Sequence, residues 1–379
     1  MAGLDVNDPI DLGSLVLSNA VIPGDVIKLR AGTYARDWVF NWQGTSDNPV
    51  TVMPYNNENV ILDGSLWLGG SYLIIKDIEI RDTNPDRTVH TSGITMNNPG
   101  CKLIGCDIHD MRHSGIIWQG SGVGVVAECI IRGNGIDTQL DHALYGHNHL
   151  GGTRLIARNM TFAQSGKYSL HLYSGGANYI KDYIVEDNVF CGDPVHTGGG
   201  LGVVDFVYRG NVQYGNYCQH GRYSGSNQNQ NGQIVDNTLI DVFSYSVNAD
   251  CDLEWLNLLE SGNIVYGGEP ANRAGYTKLP KPAVWSKFTP FSLSGRWLGG
   301  LAIFNRDGQD TCPIDFPILS HGAYLLRNVQ NPAETWSFVY AGAAINVPMN
   351  IWTAAERMTF GTPPPFYPFF GMFVVEYNP

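Results

Sequence analysis

Three stretches between His113 and Tyr173 share one pattern of apolar and polar positions. They are His113-Ser114-Gly115-Ile116-Ile117-Trp118-Gln119, Asp141-His142-Ala143-Leu144-Tyr145-Gly146-His147 and Lys167-Tyr168-Ser169-Leu170-His171-Leu172-Tyr173. An apolar residue holds the fourth place in each (Ile116, Leu144, Leu170). Strand alternation turns that place inward and the fifth and seventh places outward. The pattern predicts three short strands side by side, about 4.8 Å apart. Their outward places carry Ile117 and Gln119, Tyr145 and His147, His171 and Tyr173, and their first places His113, Asp141 and Lys167. By the same alternation His142 points the opposite way from His147 and His149.

A longer rhythm runs around these stretches. A polar residue before an apolar alternation recurs at Asp77-Ile78, Asp107-Ile108, Cys129-Ile130, Asn159-Met160, Asn188-Val189, Asn211-Val212, Asn237-Thr238 and Asn263-Ile264, at spacings of 30, 22, 30, 29, 23, 26 and 26 residues. A repeat of that length made of strands and turns, with no helical period, fits the coils of a parallel β-helix with loop insertions on one side. The asparagine column is read as a stack of side-chain amides that bond from coil to coil. Residues 8–21, with Leu12, Leu15, Leu17 and Val21, form a short amphipathic segment suited to covering the open end of such a stack.

The start Pro-Gly-Asp-Val-Ile-Lys-Leu-Arg-Ala-Gly-Thr-Tyr (23–34), with Gly44 to Gly64, resembles the opening coils of the pectate-lyase-like right-handed parallel β-helix superfamily, in particular polysaccharide lyases of the alginate lyase and chondroitinase B kind. The Asn-turn rungs resemble the β-helix repeat proteins of bacteria and phages. The resemblance spans about residues 20–266. It implies an all-β, right-handed parallel β-helix over residues 1–268 and an extracellular or virion-associated protein that handles a polysaccharide. The Lys- and Arg-bearing catalytic segments of those lyases have no counterpart here, so no catalytic residue is transferred by motif.

After Gly268 prolines and tryptophans (Pro270, Pro280, Pro282, Pro290, Trp285, Trp297) introduce longer, irregularly spaced strands, among them 298–304, 322–329, 336–340 and 370–376. This predicts an antiparallel β-sandwich over residues 269–379, serving as a cap or an oligomer contact. Trp285, Trp297 and Trp336 suit core packing or stacking on sugars.

Composition narrows the chemistry. In 379 residues there are 45 Gly and 19 Tyr and only 15% charged residues, which suits turn-rich β-structure. A formal charge of −12 argues against a general nucleic-acid binder. Between His109 and Gly175 the balance is reversed to +1, and six of the ten histidines fall there, as suits an acidic polymer. Seven cysteines without a CxxC pair argue against a disulfide framework or zinc ribbon, and Cys106 and Cys129 read as small buried thiols. No run of 18 apolar residues is present, and the start Met-Ala-Gly-Leu-Asp-Val-Asn-Asp lacks the regions of a signal peptide, so no membrane partner is expected.

For a uronic-acid polymer, β-elimination needs a group to neutralise the carboxylate, a base for the C5 proton and an acid for the leaving oxygen. The outward patch offers His113, Asp141, Tyr145, His147, Lys167, His171 and Tyr173 as catalytic candidates, with neighbouring cations expected to lower a tyrosine. Arg112, Trp118, Gln119, His142, Asp205 and Arg209 are the expected substrate contacts. Stacked rings in a purely structural ladder are the bland alternative. A glycoside hydrolase would instead pair Asp141 with Asp110, Asp137, Asp187 or Asp205, the last at a two-coil separation, and a tailspike-like binding module would use the same groove without an activated pair. His142, His147 and His149 lack the spacing of a transition-metal motif. No cofactor is expected; calcium enters only because the resemblance implies it.

Overall fold

A computed structural model describes residues 10–279 apart from 84–92, 121, 136–139, 148–152, 159–160, 164–165, 174–178, 192, 199–201, 222–227, 241, 248–253, 267, 269 and 271–272. Beyond 279 it describes the backbone of strands 285–292, 302–305, 322–328, 335–340, 348–349 and 367–368.

Each coil contributes one short strand to each of three parallel sheets, so the chain winds as a β-solenoid of the right-handed type. Among the described residues the sheets hold eleven, eleven and nine strands. The first begins with Val26–Leu29, the second with Gly32–Ala35 and the third with Trp38–Phe40. Alternation puts every second residue of a strand inside, and the register stacks these residues in files. In the first sheet Val52, Ile75, Leu103, Val126, Ala157, Val185, Tyr208 and Ile234 follow one another. In the third, Trp38, Leu66, Ile94, Ile116, Leu144, Leu170, Val195 and Cys218 do the same. Nearly all are fully buried, and strands between the two ends pair with a strand on either side. The inward places of Ile116, Leu144 and Leu170 are those that the alternation predicts.

Turns between the first and second sheets are two residues long in most coils, for example Gly105-Cys106 and Gly210-Asn211. The first of the two takes a left-handed conformation: Asp77, Gly105, Glu128, Asp187, Gly210, Asp236 and Gly262 all lie at φ between 56° and 66°. The second is the ladder position. Asn188, Asn211, Asn237 and Asn263 are buried there, each amide bonding to the next coil: Asn211 Nδ2 donates to Asn237 Oδ1 at 3.1 Å and to the Val185 carbonyl at 3.0 Å, and Asn211 Oδ1 accepts from the Asn188 backbone N–H at 3.0 Å. Asn159 lies outside the described residues.

Upstream the expected column slips by one. Asp107 pairs with Glu79 and Ile130, so Cys106 and Cys129, with Ile78 before them, occupy the ladder place. Their thiols imitate the amide: the Cys106 N–H points to Cys129 Sγ at 3.4 Å, and Cys106 Sγ to the Ile75 carbonyl at 3.6 Å. The slip has two directions: Asp77 is the left-handed turn residue, one place before Ile78, whereas Asp107 is the first residue of its strand, one place after Cys106; Cys129 stands where the column expected it.

Helix Leu12–Leu17, capped by the Asp11 carboxylate on the Ser14 N–H at 2.8 Å, rests Leu12, Leu15 and Val16 on the core. At the other end strand Tyr276–Leu279 adds to the second sheet, past the boundary expected at 268, and Arg273 closes on Glu260 with a 2.8 Å ion-paired hydrogen bond. Strands 285–292, 302–305, 322–328 and 335–340 form one antiparallel sheet; a facing layer is not among the described elements.

Candidate functional site

Loop length points to the third sheet before any side chain does. While the turn between the first and second sheets stays short, the connections on both edges of the third vary. Residues 82–93, 110–115 and 133–141 enter it; 41–49, 221–229 and 247–255 leave it. Insertions concentrate where a fold carries its function. They fall on two edges here rather than the one that the repeat implied.

On the outer face of this sheet the rungs Ile117, Tyr145, His171, His196, Gln219 form one row. Tyr145 and His171 have ring centroids 5.3 Å apart, His171 and His196 5.0 Å, and Tyr168 stands 4.7 Å from His171 and 5.4 Å from His196. Tyr173 lies 5.6 Å from His171 and 6.3 Å from His147. The Lys167 Nζ sits over the Tyr168 ring at 5.2 Å. This makes a continuous imidazole and phenol surface with one ammonium at its side.

His142 belongs to that surface, contrary to its expected direction. His142 pairs with Tyr168 and Leu144 with Leu170, but the ladder is interrupted at Ala143, which re-aims His142 outward. Its Nε2 lies 3.0 Å from His171 Nδ1. Although only 4% exposed, its Nδ1 has no hydrogen-bond partner among the described residues.

Burial governs the protonation of the cluster. Burial, aided by Lys167 and His196, pushes His142 down to about 3. His171 is pushed lower still by burial and by His142, His196 and Lys167. Tyr145 is pushed well up by burial and by Tyr173. The expectation of cationic histidines that lower a tyrosine is therefore reversed: His142 and His171 are neutral and Tyr145 keeps its proton at neutral pH.

The remaining candidates divide. His113 Nδ1 contacts Asp141 Oδ1 at 3.1 Å, and the Lys167 N–H donates to the Asp141 carbonyl, so the three first-place residues do stand on successive coils. Arg112 is half-buried in the connection 110–115, and Gln119 follows strand Ile116–Trp118 at the sheet's other edge. Trp118, expected to touch substrate, is fully buried inside the solenoid, its ring against Gly124, because it occupies an inward sixth place. Asp205 and Arg209 lie on the first sheet, on another side of the molecule. Asp205 accepts from Asn231 Nδ2 at 2.9 Å, and Arg209 pairs with Glu186. Asp141 and Asp205 are thus not a facing pair of carboxylates. His149 lies outside the described residues.

No protein-family model matches the sequence, and no curated protein does. Among solved structures the chain is similar to an alginate lyase from Paenibacillus sp. str. FPU-7, at 17% identity and TM-score 0.48 over 71% of this chain and 93% of that one. It is similar to a rhamnogalacturonan lyase at 14% and 0.45, covering 74% and 82%, and to the GH136 lacto-N-biosidase from Eubacterium ramulus at 12% and 0.45, covering 74% and 63%. Likeness at this level says nothing about substrate or residue roles.

Tyr168 and His196 escaped the sequence reading. Val195-His196 repeats the Leu170-His171 pattern one coil on, which was a usable signal; Tyr168 faces out only because of the ladder break beside it. Among the described residues no group of three or more His, Cys, Asp or Glu is arranged to hold a metal, and no step below is routed through one. No helix among them is long and apolar enough to cross a membrane.

Proposed function

We propose that the outer face of the third sheet binds an extracellular uronic-acid polysaccharide and cleaves it by β-elimination. One observation carries this reading: a neutral imidazole, a protonated phenol and an ammonium are gathered on the one face that is flanked by variable loops. Lys167 is the group that meets the substrate carboxylate. His171 is the base. If its Nδ1–H donates to His142 Nε2, its Nε2 keeps a lone pair for the C5 proton. His142 then carries its own proton on Nδ1. His142 is in this reading a positioning residue. Tyr145, held in its protonated form, donates to the departing glycosidic oxygen. His147, Tyr173, His113 and Asp141 line the same face, and the chain beyond residue 268 serves as a cap or oligomer contact. A hydrolase built on Asp141 with Asp205 is not favoured, since Asp205 lies on the first sheet and Asp141 enters the third.

The test is a panel of acidic and neutral polysaccharides followed by ultraviolet absorbance of the unsaturated uronate and by a reducing-end assay. Both signals should rise together on a uronate polymer. His171→Ala and Tyr145→Phe should each lower turnover at least about a hundredfold while the enzyme still folds. Reducing ends without absorbance would replace elimination by hydrolysis. No signal on any polymer would remove the catalytic reading.

A further inference from the structure

The row that carries Tyr145 and His171 does not begin with them. Followed toward the N-terminus, it continues from Tyr145 to Ile117, Thr95, Trp67 and Val39, one residue per coil, all on the outer face of the third sheet. Trp67 is 50% exposed and Val39 38%. The other tryptophans whose burial is described, Trp38, Trp42, Trp118 and Trp255, are each at most 9% exposed. A single exposed apolar side chain needs no explanation. Here the exposed indole stands in register with the imidazole and phenol rings.

The surroundings keep it open. The connection into its strand is only Gly64-Ser65, and the turn out of it, 69–72, is held down by Asn98 Nδ2 donating to the Gly69 carbonyl at 2.8 Å. The turn cannot thicken either: a Cβ on Gly69 would meet Asn41 Oδ1 at 2.2 Å, and one on Gly70 the Trp42 carbonyl oxygen at 1.7 Å. At this coil nothing longer than a glycine-bearing turn borders the row, whereas the next coil is entered by the long connection 82–93.

We infer that Trp67, with Val39 beside it, is a stacking platform for a pyranose ring of the polymer, three rungs from Tyr145. The inference rests on the proposed reading of the third sheet as the polysaccharide face, and adds to it a direction and a minimum substrate length. Rungs are about 4.8 Å apart, so Trp67 lies about 14 Å from Tyr145 along the axis. An extended 1→4-linked polymer advances by roughly one ring per rung. A chain lying along the row therefore places a sugar a few units from the bond broken at Tyr145 against the indole face. The apolar face of a pyranose suits this surface, and an uncharged platform leaves carboxylate recognition to Lys167. The platform selects for chain length rather than for charge.

The experiment compares wild type, Trp67→Ala and Trp67→Phe on a ladder of oligouronates from the dimer upward and on polymer. In the wild type kcat/KM should step up at the length that first reaches Trp67. In Trp67→Ala that step should vanish, and KM for polymer should rise about tenfold, with kcat within about twofold. Trp67→Phe should keep most of the step. An unchanged ladder in Trp67→Ala, with wild type active, would overturn the platform and leave the elimination reading standing. Should wild type cleave no polymer, affinity electrophoresis in gels carrying acidic polysaccharide separates the two ideas. Retardation that is lost in Trp67→Ala would sustain the platform without the chemistry; equal migration of both would overturn it. A change of sedimentation coefficient in Trp67→Ala would assign the indole to a subunit contact and overturn it as well.

Discussion

Asn211 makes one amide serve both neighbouring coils. Its Nδ2 donates to the Val185 carbonyl and to Asn237, and its Oδ1 accepts from the Asn188 N–H. All of these groups are buried, so Asn211→Ala leaves an N–H and a carbonyl without partners inside the stack. Each such group costs about 1–3 kcal/mol. The expected loss is about 3 kcal/mol in denaturant unfolding, with turnover of folded enzyme nearly unchanged because the ladder lies on the corner away from the third sheet. A midpoint equal to wild type would show that the ladder is ornamental. This part of the molecule was legible from spacing alone, since a column of asparagines every coil has few other uses. Cys129 was read in that column, but Cys106 was not, because a thiol that imitates an amide breaks the letter pattern while keeping the geometry. Trp118 was misplaced for a simpler reason: an aromatic among histidines reads as a contact, whereas its even position sends it inward.

The two-residue turn is the element that fixes the solenoid's corner, and it has a rule beyond left-handed φ. Gly105 lies beside Asp77, Gly210 beside Asp187 and Gly262 beside Asp236; in each pair a Cβ on the glycine would meet the aspartate Oδ1 within 2.3 Å. An aspartate in one turn therefore needs a glycine in the turn stacked on it. Gly105→Ala should destabilise by about 2 kcal/mol through φ +66° and that contact combined. Gly105→Ala with Asp77→Ala should recover the steric part only. A double variant no more stable than the single would leave backbone conformation as the whole cause. Register at this corner follows from turn chemistry and could be read in part. On the first sheet Asp205, Asn231 and Asn257 form a row of left-handed residues that the strand ladder skips, with Asn231 donating to Asp205 and Asn257 to Asn231 at 3.1 Å. Such a row looks like ordinary strand in sequence; Asp205 was paired with Asp141 because coil spacing alone does not tell which of the three sheets a strand joins.

Across the whole molecule, buried histidines of opposite tendency set the pH of greatest stability. His220 is enclosed among Thr197 Oγ1 at 2.9 Å, Cys218 Sγ at 3.1 Å and the Tyr208, Phe206 and Tyr245 rings, and burial, with His196, pushes it down to about 3. His142 is likewise near 3 and His171 lower. In each case the unfolded chain, at the ordinary 6.5, binds the proton that the folded chain refuses. The unfolded state is therefore favoured as pH falls from about 6.5 toward 3, by up to about 1.4 kcal/mol per pH unit for each histidine. His109 works the other way: burial opposes its charge, but the hydrogen bond to Glu79 and the charge of Asp107 outweigh it and raise it above 6.5. Its contribution is complete below 6.5 and is lost as pH rises through its folded value. With three histidines lowered and one raised, stability is still rising at 6.5 and should peak somewhat above it. Glu58 and Glu79 are held below the ordinary 4.5, so carboxylates add to the loss only under about pH 5, and the interval from 6.5 to 5 reports the histidines alone. Denaturant midpoints in that interval should fall with a slope of two to three protons in the wild type and one fewer in His220→Gln. Equal slopes would mean that His220 is as readily charged folded as unfolded, and the dry interior assigned to this end of the solenoid would have to be wet.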